Sequence, residues 1–243
     1  MYNKFASVYD ELMNDFNYDE WFQYIEEVFK KYGKSPKKVL EMACGTGNLS
    51  YYFAENMYKL TAFDISDEML SKAYNKLGRF KNVKILKQDM LDFNFNMKFD
   101  SIVAACDSMN YILELDDLVR VFQNVYDHLD YGGIFIFDIS SYYKLRNILG
   151  NNIFIEDRED IYYSWENFFD EEAAICDMYL TFFLREGNLY ERFDENHMQK
   201  AYIEDEILDV LERVGFKNNN AYEGFSFGPV QGKTERINFV SIK

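Results

Sequence analysis

The sequence predicts a doubly wound α/β domain with a mostly parallel sheet, interrupted by an inserted antiparallel β subdomain. Three observations predict it. Between residues 38 and 139, short apolar runs alternate with amphipathic helical segments, the pattern of parallel strands joined by right-handed crossovers. A glycine-rich turn follows the first apolar run. From 142 to 200 the rhythm changes to β-branched and aromatic runs set off by turn residues. The expected division is therefore 1–141 with 201–243 as one domain and 142–200 as an insertion. A chain of 243 residues is long enough to bury the core this needs.

The elements follow in order. Residues 1–32 carry Phe5, Val8, Tyr9, Leu12 and Met13, then Trp21, Phe22, Ile25, Val28 and Phe29, close to a 3.6 period, and read as helical. Gly33 to Pro36 ends them. Lys38–Met42 is a strand, and the segment from Asn48 puts Leu49, Tyr52, Phe53 and Met57 on one helical face. Lys59–Phe63 is the second strand. Ser66 is an N-cap, Asp67 and Glu68 suit the helix dipole, and Gly78 closes that helix. Val83–Leu86, Ser101–Ala105 and Ile134–Ile139 are further strands. A helix from about Asp116 to Leu129, ended by Gly132-Gly133, precedes the last of them. The inserted strands are Ile153–Glu156, Ile161–Phe168, Ile175–Leu184 and Leu189–His197, with a turn at Glu186-Gly187-Asn188. A helix over 203–214, stopped by Gly215, and strands near 220–227 and 235–242 complete the sheet.

Charge and composition exclude several classes. Against 26 basic residues stand 42 acidic ones, a net charge of -16, which argues against a protein that binds phosphate backbones. The insertion holds 6 basic and 13 acidic residues, so -7 of that total lies there. No apolar stretch approaches 18 residues, and the N-terminus lacks a secretion signal, so no membrane partner is expected. Three cysteines without a C-x-x-C spacing read as reduced thiols of a cytoplasmic protein. Two histidines, His128 and His197, are too few for a histidine-rich metal centre, and no metal is expected.

The turn after the first strand carries the chemistry. Glu41-Met42-Ala43-Cys44-Gly45-Thr46-Gly47 leads from a strand into a helix, and its glycines let a ligand approach the backbone. A dinucleotide fingerprint would place a third glycine where Ser50 stands. The carboxylate of Glu41 would also repel a pyrophosphate, whereas it suits an ammonium or sulfonium group. Asp64 ends the second strand, where it can accept two hydrogen bonds from a ribose diol. Asp89 follows the third strand and can accept from an exocyclic adenine amine. Each has a plainer reading: Asp64 as a helix-start acid, Asp89 as a loop acid, Asp107 as a cap, and Cys44 and Cys106 as small core-facing residues.

The set E-x-A-C-G-T-G, F-D-I-S-x-E-M-L, Q-D-M and F-D-x-I-x-x-x-x-D-S-x-N-Y, over residues 37–140, resembles the class I S-adenosylmethionine-dependent methyltransferases. The flanks Tyr9-Asp10-Glu11-Leu12 and Tyr190 to Glu195 resemble a bacterial small-molecule subgroup with a β insertion. The resemblance implies a seven-stranded Rossmann-like sheet and S-adenosyl-L-methionine as cofactor. It implies Glu41 and the backbone of Ala43, Cys44, Gly45 and Gly47 at the methionine part, and Asp64 at the ribose. Asp89 and Met90 would meet the adenine, with Ile65 or Met69 packed on its ring. Cys106 and Asp107 would contact the methionyl end. An N-terminal helix carrying Tyr9 would cover the cofactor mouth.

Methyl transfer from a sulfonium needs orientation more than acid–base chemistry, so the catalytic candidates are few: Asp107, Tyr111 and His197. The acceptor is expected to be a small molecule, neutral or cationic. Lys81, Lys84 and Lys87 keep an RNA acceptor as an alternative, and a non-catalytic S-adenosylmethionine-binding protein or an NAD(P) oxidoreductase are the others. With only Pro36 and Pro229, the N-P-P-Y motif of exocyclic-amine methylation is absent. The insertion is expected either to cap the acceptor or to form a dimer contact, which leaves monomer and homodimer both open.

Overall fold

The computed structural model describes residues 5–14 and 16–243. Residues 1–4 of the expected N-terminal helix lie outside the described residues. The rest of that segment forms two helices, α1 (Phe5–Leu12) and α2 (Tyr18–Lys31). A new helix starts at α2 because Asn17 caps it, its side chain accepting from the Glu20 N–H at 3.1 Å. α2 buries Trp21, Phe22, Ile25, Val28 and Phe29 beside α3 (Asn48–Glu55), as the 3.6 period predicts.

The central sheet has seven strands in the order β10-β11-β5-β4-β1-β2-β3. β1 (Lys38–Met42), β2 (Lys59–Asp64), β3 (Val83–Lys87), β4 (Phe99–Ala104) and β5 (Leu129–Ser140) are parallel. β11 (Arg236–Ile242) is antiparallel to β5, and β10 (Lys217–Glu223) is antiparallel to β11. Helices α3 and α4 (Asp67–Leu77) pack with α2 against one face. α5 (Leu115–His128) and α6 (Glu204–Val214) cover the other.

Three local expectations are corrected. The crossover from β3 to β4 contains no helix: residues 88–98 run as a loop anchored by Phe93 and Phe95. His128 fastens it, accepting the Phe95 N–H at Nε2 (3.0 Å) while Nδ1 meets the Asn124 carbonyl at 2.8 Å. Gly132-Gly133 does not end α5. The chain enters β5 directly at Leu129, and Gly132 (φ +73) donates to the Lys243 carbonyl. Met57 is 76% exposed, beyond the end of α3. Gly78 ends α4 as expected, in an ordinary right-handed conformation.

The insertion begins with a π-helical turn (Lys144–Leu149), which the strand pattern did not anticipate. Its Leu145 and Leu149 pack with Phe169 and Met178. A four-stranded antiparallel meander follows: β6 (Ile153–Asp157), β7 (Ile161–Asp170), β8 (Ile175–Glu186) and β9 (Leu189–Lys200). β8 and β9 are joined by Gly187-Asn188, with Gly187 at φ +64. Asn110 ties the two stems of the insertion. Its Nδ2 donates to the carbonyls of Ser140 (3.0 Å) and Lys200 (2.8 Å), and its Oδ1 accepts the Ser140 N–H. The inner face of the meander is not free, because Ile161 and Phe182 pack with Val8 of α1.

Gly47 joins α3 to α4 by close approach. At φ +80, a Cβ there would lie 2.8 Å from Leu77 Cδ1 and 3.3 Å from Ala73 Cβ. Gly47→Ala combines a left-handed backbone with overpacking and should cost about 1–3 kcal/mol, read as a lower urea midpoint with unchanged slope.

Candidate donor and acceptor site

The carboxyl ends of β1, β2, β3 and β4 open on one rim, and a cavity of about 410 Å³ runs along it. That volume falls within the usual range for small-molecule sites. A second chamber of about 30 Å³ adjoins it, with Tyr9, Ala43, Gly45, Ala105 and Cys106 bordering both.

Glu41 closes the small chamber. It is 3% exposed, and Ser50 Oγ donates to its Oε2 at 2.5 Å. The serine that replaces a third fingerprint glycine is therefore the partner of the acid. Burial pushes the Glu41 carboxyl up to about 8. The Ser50 hydrogen bond works against that shift, and the neighbouring Asp64 adds to it. No cationic side chain lines this chamber among the described residues. A buried carboxyl without a counter-ion is thus largely protonated at pH 7, and a cation brought beside it would favour the ionised form.

The turn above it is shaped by left-handed residues, Ala43 at φ 50 and Gly45 at φ 54. Nothing lies within 4 Å of the space a Gly45 Cβ would fill, so the backbone is open to a ligand. Gly47 does not line either chamber, because its role is the helix contact described above.

Asp64 lies at the centre of the rim. Its Oδ2 accepts the Gly45 N–H at 2.8 Å and its Oδ1 the Ser66 N–H at 2.9 Å. Each oxygen keeps a second lone pair, enough for a diol. Burial raises its carboxyl, and the Ser66, Gly45 and Ile65 amides hold it down. Ile65, Met69, Gln88, Asp89, Met90 and Leu91 continue the wall. Asp89 accepts the Leu91 N–H at Oδ1 at 2.9 Å, the plain loop role, while it also lines the cavity.

At the other end, Cys106 (φ 61) and Asp107 (φ 52) form a left-handed pair after β4. Non-glycine residues there are uncommon and cluster at sites. Cys106 faces the cavity, and burial pushes its thiol up to about 12; the Cys44 thiol is also raised well above its ordinary value. Neither is a thiolate nucleophile. Asp107 turns away from the cavity. Its Oδ2 accepts from Gln199 Nε2 at 2.8 Å, its N–H donates to Asp138 Oδ2, and its Oδ1 lies 3.9 Å from Arg236 Nη2. Tyr111 and His197 both line the cavity, with ring centroids 5.9 Å apart. Burial lowers the His197 pKa. Phe5 and Tyr9 of α1 close this end. Sequence reasoning missed Phe5, Tyr18, Thr46, Asn48 and Gln88 as lining residues. Of these, Thr46, inside the glycine turn, and Gln88, in the Q-D-M motif, carried a local signal.

An open glycine turn, a carboxylate with spare lone pairs for a diol and an uncompensated acid beside them fit a nucleoside that carries a cationic tail. This defines an α/β enzyme of nucleoside-linked group transfer. The sequence-family model described as "Methyltransferase domain" matches residues 39–133. The "Putative methyltransferase YqeM" of Bacillus subtilis (strain 168) is 36% identical over 246 residues, spanning 100% of this chain and 97% of that one. The crystal structure of an S-adenosylmethionine-dependent methyltransferase from Clostridium acetobutylicum ATCC 824 is 40% identical. It superposes with a TM-score of 0.90, covering 99% and 98% of the two chains. S-adenosylmethionine-bound CalS10, an amino pentose methyltransferase from Micromonospora echinaspora, shares the fold at 15% identity and a TM-score of 0.79, over 97% and 96%. The chain belongs to the S-adenosylmethionine-dependent methyltransferases, and its cofactor is S-adenosylmethionine. The dinucleotide oxidoreductase alternative is set aside by that membership.

Two outcomes test the donor end. Asp64→Ala should weaken S-adenosylhomocysteine binding by about 2–4 kcal/mol in calorimetry, the sum of lost charge-assisted bonds. Glu41 has a folded-state pKa above its unfolded one. The stability it contributes is therefore present below the unfolded value of 4.5 and is lost as pH rises towards about 8. Glu41→Gln should gain on the wild type by up to about 1.4 kcal/mol per pH unit across that window, read from urea midpoints at pH 5.5 and 7.5.

Proposed function

We propose that the enzyme methylates a small-molecule nitrogen or oxygen nucleophile held at the aromatic end of the cavity, and that the insertion caps this acceptor. The observation that carries the reading is that His197, from β9 of the insertion, borders the same cavity as Asp64 and Asp89. S-adenosylmethionine, when bound, supplies a methyl group already activated on a sulfonium. The protein's own part is then mainly alignment, a contribution of roughly 7–11 kcal/mol when the geometry is good. Asp64 accepts from the ribose, Asp89 and Met90 meet the adenine, Ile65 and Met69 pack on it, and Glu41 receives the cationic methionyl end. Phe5, Tyr9 and Tyr111 exclude water around the acceptor. His197, neutral at pH 7 because burial lowers its pKa, takes the proton an N–H or O–H acceptor must lose. Asp107 serves as an anchor of the turn.

The acidity of the insertion supports a neutral or cationic acceptor over a nucleic acid. The outer face of the meander, where Phe168 is 69% exposed, is the surface left for contact with a second copy.

The deciding experiment follows radiolabelled methyl transfer to a panel of small amines and alcohols, with total RNA as a parallel arm. Transfer to RNA alone would overturn the reading. With the acceptor in hand, His197→Gln should lower kcat by about 10²–10⁴-fold while S-adenosylhomocysteine binds as in the wild type. The wild-type rate should hold from pH 8 to 7 and fall below the ordinary imidazole value of 6.5, as His197 protonates.

A further inference from the structure

We propose that Asp10 is a positioning residue for the methyl donor: its carboxylate seats α1 on the donor turn, so that Tyr9 becomes a wall of the donor cavity. The proposal rests on the reading that this cavity holds S-adenosylmethionine.

Helix α1 has eight residues, too few to be stable alone, so its place is set by what it touches. One side packs on the insertion through Val8, Ile161 and Phe182. Asp10 reaches the other way. Its Oδ1 accepts from Thr46 Oγ1 at 2.5 Å and from Asn48 Nδ2 at 3.1 Å, and its Oδ2 pairs with Lys76 Nζ at 3.1 Å. Lys76 in turn donates to Asn48 Oδ1. One carboxylate thus joins the glycine turn, the start of α3 and helix α4 to α1.

Both turn residues that Asp10 holds, Thr46 and Asn48, line the chamber that contains Glu41. Its chain neighbour Tyr9 lines that chamber and the large cavity. The Asp10 side chain is 46% exposed, and an ion pair that exposed holds weakly by itself. The two further hydrogen bonds to a charged acceptor give the contact its geometry. The charge is retained across the working pH range, because the Thr46, Lys76 and Asn48 contacts outweigh partial burial and keep the Asp10 carboxyl below its ordinary value. A donor bound beneath Tyr9 would be sealed by this contact, and its departure would require the contact to open.

The test combines calorimetric titration of S-adenosylhomocysteine with hydrogen exchange on the full chain. In the wild type the ligand should slow exchange over residues 5–12. Asp10→Ala should weaken binding by about tenfold or more, speed exchange over 5–12, and remove the ligand's protection there, with β4 and β5 amides unchanged. Asp10→Asn keeps an oxygen for Thr46 and Asn48 but no charge for Lys76, and should fall between the two. Wild-type binding with unchanged α1 exchange in Asp10→Ala, while Asp64→Ala still weakens binding, would overturn the proposal and leave the donor site standing. If neither substitution alters binding, the donor-site reading falls and this inference with it. Faster exchange throughout β4 and β5 would make Asp10 a general stability residue and also overturn the proposal.

Discussion

The carboxylate of Asp64 carries the pairing of β1 and β2 on into the two turns that follow them. By accepting the Gly45 and Ser66 amides, it fixes the glycine turn after β1 against the entrance to α4. Those amides belong to turn residues that line the cavity, outside the sheet ladder. An unpaired buried amide would cost about as much as a lost hydrogen bond. The same group therefore shapes the cavity wall and leaves a lone pair on each oxygen that these two amides do not use. Its raised carboxyl reflects the compromise, since burial disfavours the charge that three neighbouring amides favour. Glu41, one strand over, has a hydroxyl from Ser50 and no amide, and burial prevails there by a wider margin.

The rim that carries the glycine turn and the insertion are not separable modules. α1 lies between them, with apolar contacts to the insertion and Asp10 reaching to the donor turn. Arg158 Nη1, in the turn between β6 and β7, also donates to the Glu11 carbonyl at the end of α1, at 2.7 Å. Shortening the insertion would expose Val8 and remove one side of the seat that presents Phe5 and Tyr9. An insertion that only capped the acceptor would leave donor affinity alone. In this fold the expected consequence is a loss on both sides, because one short helix carries both contacts.

Much of the architecture was legible because it depends on local pattern. The alternation from 38 to 139 marked every parallel strand, and Ser66 with Asp67 and Glu68 marked the start of α4. Gly215, at φ 112, stops α6 as its position suggested. The failures share a cause. The bare crossover at 88–98 is held by Phe93, Phe95 and His128, contacts between segments distant in sequence. The π-helical turn at 144–149 is shaped by packing against Phe169. At the site, Glu41, Asp64 and Asp89 could be read because strand ends in a parallel sheet share one rim. Tyr18 and Phe5 could not, because their approach depends on how α1 and α2 fold back over that rim.

Asp107 shows why a motif position does not fix a role. The resemblance implies a ligand contact for this strand-end acid, yet its side chain is engaged by Gln199 and faces Arg236, off the cavity wall. Asp138 is fully buried on β5 and pairs with Arg236 from the neighbouring antiparallel strand β11. One cation then faces two carboxylates, and Asp107 completes its own hydrogen bonding with Gln199 of β9. The left-handed backbone at Cys106 and Asp107 needs support that exceeds its conformational cost, and the Asp138 oxygen accepting the Asp107 N–H supplies part of it. Gln199 lies two residues from His197 on the same inner face of β9. Through Asp107, Arg236 of β11 is linked to the strand that carries His197. The spacing between the β4 rim and His197 is thus tied to a cluster of Arg236, Asp107 and Asp138 that lies off the cavity wall.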